Sequence, residues 1–512
     1  MSSKSSLPHP WTSDKYNSGF HPTLLAELSM RAASNAIREK PRWWEKFKDP
    51  IISTRWKQEL QAASNEHNDG MVLRDEQIEH VFKELEWFAE QRKAQERLLA
   101  CVKKLEDVPE HLKDWHPGSN KQVLDLVHPS LFPFIAGRTR VTEQEALPPF
   151  DFIGQGKVLK KAPDPSGIIP IYVSEKYQWL PTDFEVSPEG KVKIKSYINN
   201  LHPVEHKDMY PVLEEVFERF LPMFEDVLAE MRDIPRKRNI LTVNPYEWYG
   251  ERPEVDPENE DFDNDEWYRT REPIPVTIPE FKSREVLNKY ELRTGKTLQV
   301  IVKLANIELT PENPKYNGGT WHVEGMGNEN IAASGIYYYH SENVSESRLN
   351  FRIQVKEPRY EQSDDKGVMF MYGLANYQPL VQCLDGIVTK QDRCIAFPNI
   401  YQHQVQPFEL ADPTKPGYRR ILVFFLVNPE QPILSTTHVP PQQKGWVPPK
   451  GLLLEVAQKM PPEIFQQIDS LVGWPIDMKE AKKHREALMR ERKFVVKDNE
   501  YVYERIFYLC EH

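Results

Sequence analysis

The sequence predicts an α+β protein with an antiparallel β core, either a sandwich or a barrel, and helical additions at both ends. Two observations support this prediction. From Thr297 onward, short runs rich in Val, Ile, Tyr and Phe follow one another, separated by turn residues and without helical patterns between them. Before and after this region, apolar residues recur at intervals of three and four, which is typical of amphipathic helices.

The N-terminal region from Thr23 to Leu105 carries three such helical patterns, LLAELSMRAASNAIREK, RWKQELQAA and EQIEHVFKELEWFAEQRKAQERLLACVKKLE. We therefore predict a helical region over residues 1–108. The next region, residues 109–286, begins with Pro-rich chain that we read as an irregular wrap with few regular elements. It continues with a long amphipathic helix from Tyr210 to Asp233 and an acidic linker from Glu251 to Trp267.

The predicted β core spans residues 287–430. Its strands are expected in TLQVIVKLANIEL, NIAASGIYYY, RLNFRIQV, VMFMYGL, DGIVTK, RCIAFP and RRILVFFLV. Residues 431–512 then return to helical patterns in PPEIFQQIDSLV and DMKEAKKHREALMRERKF, and a further strand is expected in EYVYERIFYLC. This last region is predicted to be a helical cover over the core.

Charge and composition exclude several classes of partner. The net charge of -11 is spread along the chain, so no basic face is available to grip a phosphate backbone, and nucleic acid is not expected as a partner. The first twenty residues lack the apolar segment of a secretory signal, and no window approaches the roughly 18 apolar residues of a membrane span. The four cysteines show no C-x-x-C spacing. A cytoplasmic protein without membrane contact is the prediction.

The segment GGTWHVEG contains His322 and Glu324 two residues apart. On extended chain, residues i and i+2 point to the same face, whereas on a helix they diverge, so this pair can share a metal ion only on a strand. The preceding glycines and the following β-rich run favour extended chain here. The alternative is an ordinary hydrogen-bonded pair of a histidine and an acid.

A third ligand is expected at His403, which lies in FPNIYQHQV between two apolar strands. Two histidines and one carboxylate on one face form the facial triad of non-haem Fe(II) oxygenases, which leaves positions open for a cosubstrate and dioxygen. His322, Glu324 and His403 are therefore the predicted ligands of Fe(II). The alternative is a β core that carries two histidines for structural reasons.

The cosubstrate 2-oxoglutarate needs a fixed cation for its far carboxylate, a role suited to the planar fork of arginine. The segment PGYRRILVFF offers Arg419 and Arg420 at the start of a strand. Alternation allows only one of them to point inward, and the apolar residues that follow do not decide which, because both faces are apolar.

A competing motif, HPVEH from His202 to His206, has the spacing of an inverted zinc peptidase signature. That signature needs both histidines on one face of a helix, and Pro203 disfavours helical geometry at His202. We read this segment as a turn.

The motifs GGTWHVEG, FPNIYQHQV and GYRRI resemble the double-stranded β-helix core, also called a jelly-roll or cupin-like core, of Fe(II)/2-oxoglutarate-dependent oxygenases. More narrowly, YQWLPTDFEV, SYINNLHP and GMGNENIAASGIYYY resemble a large, mostly fungal family catalogued as a domain of unknown function. The similarity extends over most of the chain.

The resemblance implies a jelly-roll core that binds iron through His322, Glu324 and His403, with Arg419 at the basic position of the G-x-R strand start and Arg420 as the alternative. Glu324 stands where aspartate is usual, although glutamate occurs in the related histone-demethylase-like branch. The implied reaction is oxidation of a C–H bond by hydroxylation, desaturation or ring closure.

The resemblance also suggests a small-molecule substrate, such as the amino acid valine or a secondary-metabolite precursor. Ile336, Tyr338 and Trp321 are our candidates for substrate contact, since alternation places the first two on one face of a strand beside the metal motif. Two alternatives remain open: a protein hydroxylase or demethylase with the same chemistry, and a non-catalytic jelly-roll interaction protein. Oligomeric state is not predicted.

Overall fold

The predicted strands form two antiparallel sheets in the computed structural model, and helices pack around them. The structure describes residues 7–11, 21–66, 73–88, 98–163, 165, 167–237, 241, 243–249, 264–279, 290–446, 461, 463–464 and 475–509. Within these residues the strands are β1 Val123–Val127, β2 Phe134–Ile135, β3 Arg140–Val141, β4 Lys157–Val158, β5 Tyr177–Gln178, β6 Thr182–Val186, β7 Val192–Ile194, β8 Thr297–Leu309, β9 Lys315–Tyr316, β10 Ile331–Glu342, β11 Arg348–Gln354, β12 Val381–Val388, β13 Arg393–Pro398, β14 Gln402–Val405, β15 Phe408–Glu409 and β16 Gly417–Val427.

The helices flank this β region on both sides in the sequence. They are α1 Leu25–Glu39, α2 Trp43–Lys46, α3 Pro50–Glu66, α4 Asp75–Phe88, α5 Leu98–Glu106, α6 Met209–Lys237, α7 Asn264–Thr270, α8 Asp365–Tyr372 and α9 Met478–Tyr503. The α+β class predicted from the sequence is confirmed. None of the described helices is long and apolar enough to cross a membrane.

The large sheet has the strand order β13-β10-β16-β8-β6-β7, and β1 also pairs with β8. All of its pairings are antiparallel. The small sheet has the order β12-β11-β14 and is also antiparallel. Neither of these two sheets closes on itself, and the remaining described strands form the two-stranded sheets β9-β15, β2-β5 and β3-β4.

The two sheets face each other through a buried apolar cluster. It joins Ile336, Tyr338 and Val423 of the large sheet to Leu349 and Phe351 of the small sheet. We call the face of the large sheet that carries these residues its inner face. Ala481 and Leu488 of α9 belong to the same cluster, so this helix packs against the space between the sheets.

The outer face of the large sheet is covered by α6. Phe217 and Phe220 of this helix lie with their ring centroids 5.2 and 5.6 Å from that of Phe424 in β16. Tyr337 and Tyr339 belong to the same buried cluster, which confirms that successive residues of IYYY point to opposite faces of the sheet. The N-terminal helices α1, α2 and α4 form a separate core with α8 and with Ile353 of the small sheet.

Two segments expected as strands differ in the structure. VMFMYGL lies mainly in helix α8, because the Asp364 side chain caps the helix by accepting a hydrogen bond from the Gly367 amide at 2.8 Å, and Gly373 ends it with a positive φ of 65°. EYVYERIFYLC continues helix α9 as far as Tyr503. Its second half is extended and pairs with residues 377–380, where the Leu380 amide donates to the Arg505 carbonyl at 2.9 Å.

The region expected to be an irregular wrap contributes strands to the large sheet. β1, β6 and β7 extend the sheet beyond β8, which is a difference from the reading of residues 109–286 as wrap, helix and linker. The long helix of that region is present as α6. Most of the acidic linker, and most of the helix expected in PPEIFQQIDSLV, lie outside the described residues.

Candidate metal centre

The H-x-E segment is held against β14 by a tight turn at Gly318. This residue has a φ of +86°, and a Cβ added to it would lie 2.7 Å from the Val405 carbonyl oxygen, so the turn requires glycine. After the turn, the Gly319 amide donates to the Val405 carbonyl at 2.9 Å. His322 and His403 then pair through both of their backbone groups, with N···O distances of 3.2 and 2.9 Å.

This pairing brings the three predicted ligands together. Nε2 of His322 lies 3.7 Å from Oε1 of Glu324, and Nε2 of His403 lies 3.4 Å from the same oxygen. The two imidazole centroids are 4.3 Å apart. His403 is buried, whereas the side chain of His322 is 34% exposed, so the group is accessible from one side. Its ligand atoms are of the types, and lie in the positions, that a metal ion needs.

The hydrogen bonds of the imidazoles leave Nε2 of each ring on the side of Glu324. Nδ1 of His322 donates to the Thr320 carbonyl at 2.8 Å, which fixes the tautomer with a free Nε2. Nδ1 of His403 is buried and turned toward the Tyr401 carbonyl without reaching hydrogen-bond geometry.

The charges at the group follow from burial and from the short contacts. Burial alone would raise the pKa of the Glu324 carboxyl, but the two imidazoles outweigh it and hold that pKa well below its usual range. Burial opposes protonation of His322 as well, yet Glu324 raises the pKa of this histidine above its ordinary value. Burial and the neighbouring His322 lower the pKa of His403. A divalent cation at this position would replace the proton between His322 and Glu324.

Asn399 fixes the backbone of Glu324, and the sequence analysis did not single it out. Its side chain accepts from the Glu324 amide at 2.8 Å and donates to the Glu324 carbonyl at 2.9 Å and to the Ile331 carbonyl at 3.1 Å. Asn399 is 1% exposed. The FPN turn was visible in the sequence, but the partners of this asparagine lie far away in the chain.

The two candidate arginines point in opposite directions. Arg419 lies on the inner face and is 1% exposed, and its Nη1 donates to Ser347 Oγ and, at 2.9 Å, to Thr389 Oγ1. Its Nε is buried without a hydrogen-bond partner, and no carboxylate among the described residues forms an ion pair with it. Arg420 instead pairs with Glu106, with contacts of 2.7 and 2.8 Å. A buried cation without a counter-charge is costly, so Arg419 is the arginine that can receive an anion.

The sequence places the chain in a known family. Residues 53–450 match the family described as protein of unknown function DUF4246, and residues 1–59 match its N-terminal part, described as domain of unknown function DUF4246, N-terminal. The chain belongs to the DUF4246 family. This is the resemblance to a domain of unknown function that the sequence motifs indicated. No curated protein matches the chain.

Several solved structures resemble parts of this DUF4246 protein at low identity. IDO from Bacillus thuringiensis is 12% identical with a TM-score of 0.17, over 26% of this chain and 45% of that chain. A bsmA homolog from Methylobium petroleophilum PM1 is 11% identical with a TM-score of 0.17, over 26% of this chain and 42% of that chain. The Fe(II)/(alpha)ketoglutarate-dependent dioxygenase TqaL is 12% identical with a TM-score of 0.21, over 48% of this chain and 66% of that chain. The chain thus covers less than two thirds of each, and these TM-scores do not establish a shared fold.

The residues predicted to contact substrate in the DUF4246 protein lie in two places. Ile336 and Tyr338 are on the inner face, and the Tyr338 ring lies 5.6 Å from the Arg419 guanidinium. Burial raises the pKa of Tyr338 to about 12, so its hydroxyl stays protonated. Trp321 instead stacks with the guanidinium of Arg352 at 4.8 Å. Arg352 in turn donates to Gln402, which alternates with His403 along β14, so Trp321 lies on the side away from the triad.

A second group with metal-ligand residue types is formed by His116, Asp125 and His128, a group that the sequence analysis missed. Asp125 lies in β1 and His128 follows the strand directly, while His116 lies beside its start, where its amide donates to the Val123 carbonyl at 2.8 Å. Nδ1 of His116 is 2.8 Å from Oδ2 of Asp125. The spacing of these residues fits no metal motif, so the sequence carried no signal for the group.

The HPVEH segment of this DUF4246 protein is a turn, in agreement with the sequence reading. Nδ1 of His202 accepts from the amides of Val204 and Glu205 at 3.2 Å, so this histidine caps the turn. The structure therefore gives no support to a peptidase site here.

Proposed function

We propose that this DUF4246 protein is a non-haem Fe(II)/2-oxoglutarate-dependent oxygenase that oxidises a C–H bond of a small molecule. The observation that carries the proposal is the convergence of Nε2 of His322 and Nε2 of His403 on one carboxylate oxygen of Glu324. Two imidazole nitrogens and a carboxylate that meet in this way form a donor set that a divalent metal ion binds in place of a proton.

His322, Glu324 and His403 would hold the iron, and the partly exposed side of His322 would leave room for further ligands. Iron bound with 2-oxoglutarate supplies the activation of dioxygen and the oxidation of the substrate C–H bond. Asn399 keeps the backbone of Glu324 in position through two hydrogen bonds, and a third ties it to Ile331.

Arg419 would bind the far carboxylate of 2-oxoglutarate. Its guanidinium is buried on the inner face and held by Ser347 and Thr389, and it has a free donor at Nε. The protonated hydroxyl of Tyr338, on the same face, can add a neutral donor to the same anion. The ion pair of Arg420 with Glu106 supports the choice of Arg419 over Arg420 for this role.

We also propose that the two sheets are the halves of a double-stranded β-helix. The strand order β13-β10-β16-β8 in one sheet and β12-β11-β14 in the other supports this, because the chain crosses between the sheets from β10 to β11, from β12 to β13, from β13 to β14 and from β14 to β16. Residues 319–322 add a further extended segment beside β14. Within this proposal, residues 287–430 form the catalytic core, and β1, β6 and β7 extend its large sheet.

A small substrate is favoured over a peptide because α9 covers the space between the sheets. Leu488 of this helix is buried in the inner cluster, and Arg492 forms an ion pair with Glu329 at 2.7 Å, in the loop that follows Glu324. A peptide would need an open groove at this position. Small amino acids such as valine, and secondary-metabolite precursors, belong in the first substrate panel.

The test is an anaerobic titration of the protein with Fe(II) and 2-oxoglutarate, followed by the visible charge-transfer band of the chelate. We expect the band with the native protein and its loss in His403→Ala. His206→Ala, in the HPVEH turn, is the matched control and should retain the band. Absence of the band in the native protein, or its persistence in His403→Ala, would refute the proposal.

A further inference from the structure

A second polar group lies on the inner face of the large sheet, beside the proposed oxygenase site. Asp125 of β1 is opposite Ala305 of β8, which is opposite Ile421 of β16 and then Tyr338 of β10. Directly opposed residues share a face, so Asp125 points to the same side as Tyr338. Lys303 lies two residues from Ala305 and is opposite Val423, so it points to this side as well.

The group also lies close to the triad. Lys303 is near enough to act electrostatically on His322 of the triad and on Asp125 and His128. Lys303 is thus within electrostatic range of both polar groups.

The hydrogen bonds of the group do not suit a metal ion. Nδ1 of His128 accepts from the Ser130 amide at 3.2 Å, so in the neutral ring the proton is on Nε2, and this atom is a donor. Arg485 adds a positive charge 3.5 Å from Oδ2 of Asp125. A recognition site for a polar ligand fits these groups better than a cation site.

Asp125 and Lys303 carry opposite charges on one face, yet no ion pair joins them. Diagonal neighbours on adjacent strands are about 7–8 Å apart between Cα atoms, which long side chains can bridge. The Asp125 side chain is only 1% exposed, and its Oδ1 has no hydrogen-bond partner. Arg485 does not meet this need, because it binds Asp114 through two contacts of 2.6 and 3.1 Å.

Lys303 is half-buried, and no carboxylate among the described residues forms an ion pair with it. Oδ2 of Asp125 is paired with His116 and Arg485, but Oδ1 has no hydrogen bond and Lys303 has no ion pair among the described residues, which is unfavourable in a partly buried position. A ligand that carries a cationic donor and an anionic group would satisfy both residues at once.

We infer that Asp125 and Lys303 bind the two charged ends of a small zwitterionic substrate, with Oδ1 of Asp125 accepting from its ammonium group and the Lys303 ammonium holding its acid group. This inference rests on the proposed oxygenase function and specifies which residues recognise its substrate. His116 orients Asp125 through the 2.8 Å contact to Oδ2 and leaves Oδ1 available.

The experiment measures succinate release from 2-oxoglutarate by the iron-loaded full chain. The probes are a panel of free L-amino acids, each with its amide, which lacks the acid group, and its des-amino acid, which lacks the ammonium group. We expect at least one amino acid to raise succinate release above the rate without substrate. Its amide and des-amino analogues should each need concentrations at least about tenfold higher for the same effect.

The variants test which residue recognises which end. Lys303→Met should bring the amino acid and its amide to similar half-saturating concentrations, while Asp125→Asn should do the same for the amino acid and its des-amino analogue. Lys296→Met, an exposed lysine just before β8, is the matched control and should keep both preferences. If Lys303 or Asp125 had a purely structural role, its substitution would raise the half-saturating concentrations of all three compounds by the same factor. That result would overturn the inference.

The outcomes separate this inference from the function on which it rests. If the charge-transfer band forms and no amino acid stimulates succinate release, the oxygenase proposal stands and the zwitterion site is refuted. If the native protein does not form the band, the oxygenase proposal itself is refuted. The band also reports folding, so each variant is compared only while it retains the band.

Discussion

Arg419 and Arg420 are adjacent in the chain, yet their side chains have opposite electrostatic surroundings. Arg420 is neutralised by Glu106, while Arg419 is buried among hydroxyls and aromatic rings, with Phe408 4.6 Å from its guanidinium carbon. Burial lowers the pKa of Arg419 from its ordinary value, and no carboxylate in the described part of the chain compensates for the lost hydration. A dianionic cosubstrate would restore that compensation.

Arg419→Gln is therefore expected to raise the 2-oxoglutarate concentration needed to form the charge-transfer band. A charged hydrogen bond to a carboxylate contributes about 2 kcal/mol, which corresponds to roughly thirtyfold in affinity. Iron content should be unchanged, because the metal ligands are intact. Arg420→Gln is the control and should leave the 2-oxoglutarate requirement within about threefold. Equal effects of the two substitutions would contradict the assignment.

Asn399→Ala should weaken iron binding without removing a ligand. It deletes the three hydrogen bonds that fix the backbone of Glu324 and Ile331. Loss of such a supporting residue typically lowers metal affinity about 10- to 100-fold. The Fe(II) dissociation constant, measured anaerobically, checks this. Asn317→Ala, an exposed asparagine in the loop before His322, should have no effect on it.

At the scale of the elements, strand β10 and helix α6 are in close contact at Gly335. A Cβ added at this residue would lie 2.7 Å from the Phe220 ring and 2.8 Å from the Phe224 ring. The glycine thus lets α6 lie directly on the sheet, and the sheet in turn holds the strands that carry Tyr338 and Arg419.

Gly335→Ala is expected to reduce the free energy of unfolding by about 1–3 kcal/mol through overpacking. Urea unfolding measures the change. Gly445→Ala, where an added Cβ meets nothing within 4 Å, should leave stability nearly unchanged. Combining Gly335→Ala with Phe220→Leu should recover part of the loss, and a failure to recover any would indicate that the clash is not the cause.

Some of the strands and helices could be predicted from the sequence and others could not. The alternating strands and the long helix α6 were predicted, because their periodicity is a local property. The sequence predicts a strand at helix α8 because its apolar run is short and fits either element, whereas the helix is defined by the Asp364 cap and by Gly373 at its end. β1 was missed because it is a single short strand whose partner, β8, lies far along the chain.

At the candidate metal centre, too, local patterns could be predicted and contacts between distant strands could not. His322, Glu324 and His403 could be predicted because their residue types and order carry the chemistry, and the structure brings them together. The choice between Arg419 and Arg420 could not, because it depends on Glu106 of a distant helix. Asn399, Asp125 and Lys303 were missed for a similar reason, since their surroundings arise only from the pairing of distant strands.

At the scale of the whole molecule, His9 links stability to pH. Burial lowers the pKa of His9 from 6.5 to about 3, so this histidine is neutral in the folded protein at every pH above that value. The unfolded chain takes up a proton at His9 below pH 6.5, and the folded chain does not. His9 therefore costs stability as the pH falls from 6.5 toward 3, and it has no effect above 6.5.

His9→Asn should accordingly reduce the dependence of the free energy of unfolding on pH below 6.5. A single such histidine adds a slope of up to about 1.4 kcal/mol per pH unit. Urea unfolding between pH 7 and about pH 5 measures this slope in the native protein and in the variant. His111→Asn, at an exposed histidine, should keep the native slope. An unchanged slope in His9→Asn would contradict the buried, neutral state of His9.

The arrangement of strands around β8 has a consequence for synthesis on the ribosome. Residues of β1 and β6 leave the ribosome long before β8, yet Val123 pairs with Ile307 and Phe184 pairs with Leu298. Until β8 emerges, β1 has no partner in the large sheet and β6 has only the short strand β7, so their unpaired edges are open to association with other chains. Nascent chains that end between residues 200 and 297 are therefore expected to benefit from a chaperone.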